Sequence, residues 1–186
     1  MRRVIAGLAV LSSSIWAQGQ FQPQKGSSQY LAPYVNSPTS VVERMLTLAN
    51  LKPGETLYDL GSGDGRVVIA AASKYGAKAV GIELSERLVK NSSEKIKEAG
   101  LEEKVSVVHA NLLDADISKA DVVTLYLLRD SNDLVRPKLE SSLKPGARVV
   151  SHDYEIRGWK PIKVDKPEAN HREHVLYLYE MPQKKE

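Results

Sequence analysis

The 186-residue chain contains no cysteine. That excludes disulfide bridges, a thiol nucleophile and a thiolate-bound zinc, while leaving the compartment open. Aromatic residues are scarce, with one phenylalanine, two tryptophans and eight tyrosines, and none alternates with basic residues as a platform for stacked bases requires. Charge of one sign is also lacking. The formal net charge is +3, and setting Arg2 and Arg3 aside reduces the 26 basic residues to 24 against 23 acidic ones. Such a balance gives no electrostatic footprint for nucleic acid, which is not an expected partner. No apolar run approaches the roughly 20 residues that cross a bilayer, so no stable transmembrane span is expected. What remains, 42% hydrophobic and 26% charged residues, is the composition of an ordinary folded domain, and the length suits one α/β domain.

The N-terminus reads as an address. Met1-Arg2-Arg3 is a short basic start, Val4 to Leu11 an apolar run, and Ser12 to Ala17 a small-residue stretch ending before Gln18. These are the parts of a secretory signal peptide over residues 1–17, with Ala17 as the cleavage position. An uncleaved interfacial segment or a misplaced start is the alternative. The expected location is accordingly exported, periplasmic or membrane-associated, with the cytoplasm as the alternative. Residues 18–37, rich in Gln, Ser, Pro and Gly, read as a linker, and the domain itself is expected over 38–182.

Within the domain, Val41, Val42, Met45, Leu46 and Ala49 recur at helical spacing behind Thr39 and Ser40, which read as caps. Thr56 to Leu60 is a short apolar strand running into a glycine turn, and Arg66 to Tyr75 a helix ended by Gly76. Ala79 to Glu83 and Val105 to His109 are further strands, separated by a helix from Ser85 to Ala99. Asp121 to Leu127 is the fourth strand, Leu134 to Leu143 a helix and Ala147 to Ser151 the fifth strand. The β-α alternation predicts a parallel sheet. Trp159 to Val164 and His174 to Tyr179 are then too close for another long helix between them, which predicts a closing antiparallel hairpin across a loop with Pro167 and Asn170.

The glycine turn Asp59-Leu60-Gly61-Ser62-Gly63-Asp64-Gly65 sits where an open parallel sheet binds ligands, beyond the carboxyl end of its first strand. Glu83 ends the second strand 20 residues after Gly63, where a carboxylate accepts both hydroxyls of a ribose. The pair points to a nucleoside. The dinucleotide fingerprint wants its third glycine three places after the second, where this chain has Arg66, and no Gly-Lys-Ser or Gly-Lys-Thr completes a P-loop. Asp59 opposes a phosphate and suits a cation. S-adenosylmethionine, with an ammonium and a sulfonium and no phosphate, fits better than NAD.

This turn, followed by Gly81-Ile82-Glu83, resembles the first two motifs of the class I, seven-strand S-adenosylmethionine-dependent methyltransferases. Pro33 to Thr39, Leu125-Tyr126-Leu127-Leu128 and Arg148 to Asp153 further resemble the small protein-lysine methyltransferases that act on ATP synthase c subunit and adenine nucleotide translocase, and their bacterial relatives. The resemblance spans about residues 33 to 163. It implies a Rossmann-like methyltransferase sandwich whose mostly parallel seven-stranded sheet has the order 3-2-1-4-5-7-6 and an antiparallel last strand. It also implies S-adenosyl-L-methionine as cofactor and a protein as substrate. By position, Asp59, Gly61 and Gly63, with Ser62 and Gly65 of the same turn, would hold the methionine end, Glu83 the ribose, and Asn111 and Leu112 the adenine. Many relatives carry an acid where this chain has Asn111. Tyr34 matches an aromatic that closes over the cofactor.

Methyl transfer from a sulfonium asks the protein chiefly to aim the acceptor and exclude water. A lysine ammonium, with reference pKa near 10.4, must first lose a proton, at about 4–5 kcal/mol at neutral pH. An apolar aromatic channel lowers that pKa. Tyr126 is the channel residue and Asp153 the acid assigned beside it as catalytic, with His152, Tyr154 and Trp159 completing the rim. The fourth strand lacks the Asn-Pro-Pro-Tyr string of enzymes acting on amide or nucleobase nitrogens. A small-molecule methyltransferase and a non-catalytic cofactor-binding module stay open as alternatives. His171 and His174 read as solvated, with no third ligand near them, so no metal is expected.

Overall fold

The computed structural model describes residues 34–183; the signal peptide expected over residues 1–17 and the expected linker as far as residue 33 lie outside the described residues. Helix α1 (Thr39–Leu48) leads into β1 (Thr56–Leu60), α2 (Arg66–Tyr75), β2 (Lys78–Glu83), α3 (Glu86–Glu98) and β3 (Val105–His109). Then come β4 (Val122–Leu125), α4 (Arg129–Ser142), β5 (Arg148–His152), β6 (Lys163–Asp165), the two-residue strands β7 (Glu168–Ala169) and β8 (Arg172–Glu173), and β9 (Leu176–Glu180). The large sheet has the order β3-β2-β1-β4-β5-β9-β6. With the two-residue pair β7-β8 set apart in its own sheet, this is the order 3-2-1-4-5-7-6 expected from the sequence. Strands β1 to β5 are parallel to one another, and β9 runs antiparallel to both β5 and β6.

The inner strands are buried on both faces, so their side chains alternate between two apolar layers. Leu57, Val122 and Val150 face a layer with Val41, Met45, Val68 and Ala72 of α1 and α2, while Tyr58, Val123 and Val149 face Val135 and Leu139 of α4. Near-continuous Val and Leu runs are what a two-faced parallel sheet demands, and all of the inner strands end at one edge, where the connecting turns gather.

Several boundaries differ from expectation for local reasons. Thr39 is the first residue of α1 and Pro38 its N-cap, with no side-chain cap. Helix α4 starts at Arg129, five residues before the apolar pattern begins, because its first turn is held by polar bonds: the Asn132 amide donates to the carbonyls of Tyr154 and Glu155. Strand β4 stops at Leu125, leaving Tyr126 and Leu127 in the turn. Trp159 is not in a strand; it packs edge-on against Tyr179 at 5.4 Å and donates its indole N–H to Glu140. The expected loop through Asn170 is the β7-β8 hairpin, its turn formed by Asn170 and His171, both at positive φ.

Candidate active site

At the carboxyl ends of β1, β2 and β4 lies a cavity of about 620 Å³, within the usual range for small-molecule sites. Its wall includes Tyr34, Asp59, Gly61, Ser62, Gly63, Glu83, Asn111, Leu112 and Tyr126. Eight of the nine cofactor residues read from the sequence therefore meet in one place. Gly65 is not on the wall. It caps α2 in a left-handed conformation, and a β-carbon there would meet Ser92 at 2.9 Å. Residues 34–37, assigned to the linker, form part of the wall instead.

Asp59 is buried at the end of β1, facing Thr124 across the β1-β4 register, and the Thr124 hydroxyl donates to its Oδ1 at 2.7 Å. Burial, against the Thr124 hydrogen bond and with the nearby Glu83 and Asp64 charges, pushes its carboxyl up to about 7. A carboxylate so poised gains from a cation beside it. Glu83 accepts from the Gly63 N–H through one oxygen and from the Ser85 N–H through the other, both at 2.8 Å. Each oxygen keeps a lone pair for a hydroxyl. These bonds also fix the turn, whose Gly63 has φ 54° and lies so close under the Tyr34 ring that a β-carbon would come within 2.6 Å of it. Asn111 uses its carbonyl oxygen to accept from the Leu113 N–H at 3.0 Å, an Asx turn that presents Leu112 to the cavity.

Arg66 fastens the cavity's outer side. Its Nε and Nη2 donate to the two oxygens of Asp64, and Nη1 donates to the carbonyl of Ser37 at 2.7 Å. The Ser37 side chain is bonded to His152 Nδ1 at 2.9 Å. The N-terminal segment is thus tied to both the start of α2 and the end of β5.

At the other end Tyr126 lines the cavity, and its ring packs at a tilt of 32° on His152, with centroids 3.9 Å apart. Its hydroxyl points away, donating to Asp153 Oδ2 at 2.8 Å and accepting from Arg172 at 3.2 Å. Burial, followed by the Asp153 hydrogen bond, pushes this phenol up to about 12. Asp153 is not on the cavity wall. Burial acts to raise its carboxyl, but Arg172, the Val175 N–H, His152 and Tyr126 outweigh it and hold the group at about 2. It sits at φ 61°, a conformation rare for a residue with a side chain. Tyr154 stacks beyond Tyr126 with centroids 6.5 Å apart.

His174 is buried, not solvated, and its Nδ1 lies 2.9 Å from His152 Nε2. Its clustered neighbours are His152 and Asp153, not His171; sequence spacing reveals neither, since His152 ends β5 and Asp153 follows it. The Arg172 guanidinium on Asp153 at 2.6 Å opposes a cation there. Thr124, Ser37, Arg172 and His174 were missed. Thr124 left a trace, a lone hydroxyl residue in Val122-Val123-Thr124-Leu125; the others depend on contacts across long separations.

The residues fit an adenosyl amino acid. A buried acid suits its ammonium, a second acid its ribose, and Ser62, on the wall, has a buried hydroxyl with no partner among the described residues. The comparisons agree. Residues 59–163 match the model of the ANTKMT methyltransferase domain. A protein-lysine N-methyltransferase of Saccharolobus islandicus is 45% identical over 148 residues, covering 79% of this chain and 92% of that protein. The adenine nucleotide translocase lysine N-methyltransferase of Mus musculus is 34% identical over 161 residues, covering 86% and 69%. Among solved structures, an RNA methyltransferase from Salinibacter ruber in complex with S-adenosyl-L-homocysteine superposes with a TM-score of 0.77 at 45% identity, covering 81% of this chain and 95% of that one.

Proposed function

Since the chain belongs to the ANTKMT methyltransferase family, we propose that it transfers the methyl group of S-adenosylmethionine to the side-chain amine of a lysine in a protein. The observation that carries this reading is that one cavity joins the buried acids Asp59 and Glu83 to Tyr126. When bound, S-adenosylmethionine supplies a methyl group activated by its sulfonium. Asp59, braced by Thr124, holds the ammonium; Gly61, Ser62 and Gly63 give backbone room along the turn; Glu83 takes the ribose hydroxyls; Leu112 and Asn111 flank the adenine; and Tyr34 covers the turn.

Tyr126, Leu127 and Leu128 line the acceptor end. An ammonium entering this apolar wall is driven to the free amine by desolvation. Neither the phenol of Tyr126 nor the carboxylate of Asp153 serves as a base at neutral pH, one being too reluctant to lose a proton and the other too reluctant to gain one. The acceptor's proton therefore passes to water as the ammonium is desolvated. Asp153 acts on Tyr126, not on the substrate, and is a positioning residue. The near balance of charge and the absence of Asn-Pro-Pro-Tyr after β4 support a protein acceptor over RNA, the substrate class in the description of the Salinibacter ruber neighbour.

The test is a lysate incubated with tritium-labelled cofactor and divided between protease and ribonuclease. Label released by protease, with methylated lysine found by mass spectrometry, supports the reading; label released by ribonuclease overturns it. We further propose that residues 1–17 direct export. A mature chain beginning at Gln18 supports this, and a cellular chain beginning at Met1 refutes cleavage.

A further inference from the structure

Behind Tyr126 runs a row of buried polar groups that the chemistry above leaves unused. Ser37 Oγ is 2.9 Å from His152 Nδ1, and His152 Nε2 is 2.9 Å from His174 Nδ1. His152 is fully buried and His174 nearly so, and His174 Nε2 has no partner among the described residues. Burial, partly opposed by Asp153, pushes the His152 imidazole down to about 4, so the ring is neutral at physiological pH.

Two imidazoles hydrogen-bonded in a row have a direction. If Ser37 donates into it, each proton points toward His174 and Nε2 is left as a buried N–H with no acceptor. If the row runs the other way, the unpaired atom is a bare nitrogen lone pair, and an orphaned buried N–H is the rarer and costlier defect. Asp153 does not decide between them, lying 3.5 Å from His152 Nε2 and 3.7 Å from His174 Nδ1. The balance assigns His174 Nδ1–H to His152 Nε2, and His152 Nδ1–H to Ser37 Oγ. The Ser37 hydroxyl then accepts from behind and keeps its own proton to donate. Ser37 lines the cavity beside Arg66, which is bonded to its carbonyl.

An amino-acid tail presents an ammonium and a carboxylate on one carbon. With Asp59 taking the first, the second needs donors. Two arginines line the cavity, and Arg87 follows Glu83 and Ser85 at the ribose end. The corner made by Ser37 and Arg66 is the one left for an anion. We propose that the Ser37 hydroxyl anchors the cofactor's carboxylate, and that His152 and His174 are positioning residues that keep this hydroxyl a donor toward the cavity. The inference rests on the cofactor reading given above.

Isothermal titration with S-adenosylmethionine and with its decarboxylated form tests it, since both keep the ammonium, ribose and adenine. Ser37→Ala weakens S-adenosylmethionine by about tenfold, the value of a hydrogen bond to a charged group, and leaves the decarboxylated form unchanged. Ser37→Thr retains the wild-type preference. His152→Phe, which keeps a ring against Tyr126, shows the same selective loss as Ser37→Ala, whereas a merely structural role lowers both affinities together. Equal losses for the two ligands, or none in Ser37→Ala, overturn the anchor. Should either variant fail to fold by circular dichroism, Ser37→Gly carries the same comparison. A wild-type chain that binds neither ligand overturns the cofactor reading itself.

Discussion

Asp59 carries a charge that its burial disfavours, and this has a direction that can be measured. Its folded carboxyl titrates near 7 while an unfolded aspartate titrates near 4. Between those values the folded state holds the extra proton, so wild-type stability falls as pH rises from about 4 to 7 and levels off above. Asp59→Asn removes that slope. Its stability relative to wild type is expected to be greater at pH 8 than at pH 4, as urea unfolding at the two values would show, while calorimetry finds cofactor binding lost. In the wild type, binding at pH 6 is expected to release a proton from Asp59, seen as a heat that depends on the buffer's ionisation enthalpy, and above about pH 8 that release disappears. At Tyr126 the ring and the hydroxyl separate cleanly. Tyr126→Phe keeps the wall and is expected to lower kcat less than tenfold, whereas Tyr126→Ala opens it to water and lowers kcat at least about a hundredfold, as steady-state rates would distinguish. Because neither Tyr126 nor Asp153 takes the acceptor's proton, kcat/KM on a lysine peptide is expected to climb through pH 9 toward the acceptor's own pKa.

Between the last strands and α4 the elements are locked by aromatic residues. Tyr179 of β9 is fully buried, meets Trp159 edge-on and accepts from the Ile156 N–H at 2.9 Å. Tyr179→Phe leaves that N–H unpaired and is expected to cost about 1–3 kcal/mol in denaturant unfolding. The alternating strands and the glycine-flanked helices were legible because each carries its own signal: Leu57-Tyr58 and Val122-Val123 divide between two faces, and Gly65 and Gly76 bracket α2. The start of α4 was not legible, since Asp130-Ser131-Asn132-Asp133 has no apolar period and its order comes from carbonyls on the loop after β5. The β7-β8 hairpin escaped for the same kind of reason, its strands being two residues each. In the site, Asp59 and Glu83 could be read from their places at strand ends. Asp153 could be named but not given its role, because that role depends on Arg172 and Tyr126, 19 residues after it and 27 before it.

At the scale of the whole molecule, the cavity is built from the N-terminal segment, the β1 turn and the ends of β2 and β4 together, so a ligand there joins parts distant in sequence. S-adenosyl-L-homocysteine at a hundred times its Kd is expected to add about 2.7 kcal/mol to global stability, read as a rise in melting temperature that Asp59→Asn does not show. The left-handed backbone at Asp153 has a different consequence. Glycine would relax that φ and spare its cost of about 1–3 kcal/mol, yet would also release Arg172 and Tyr126. At neutral pH the carboxylate's bonds to Arg172, Tyr126 and the Val175 N–H, which hold it at about 2, add stability that glycine forfeits. Glycine also loosens the unfolded chain. Asp153→Gly is therefore expected to gain no heat resistance in a thermal scan while losing methyl transfer. Position 153 couples durability to turnover: one left-handed residue that never touches the acceptor serves both, its backbone cost offset by the bonds its side chain makes.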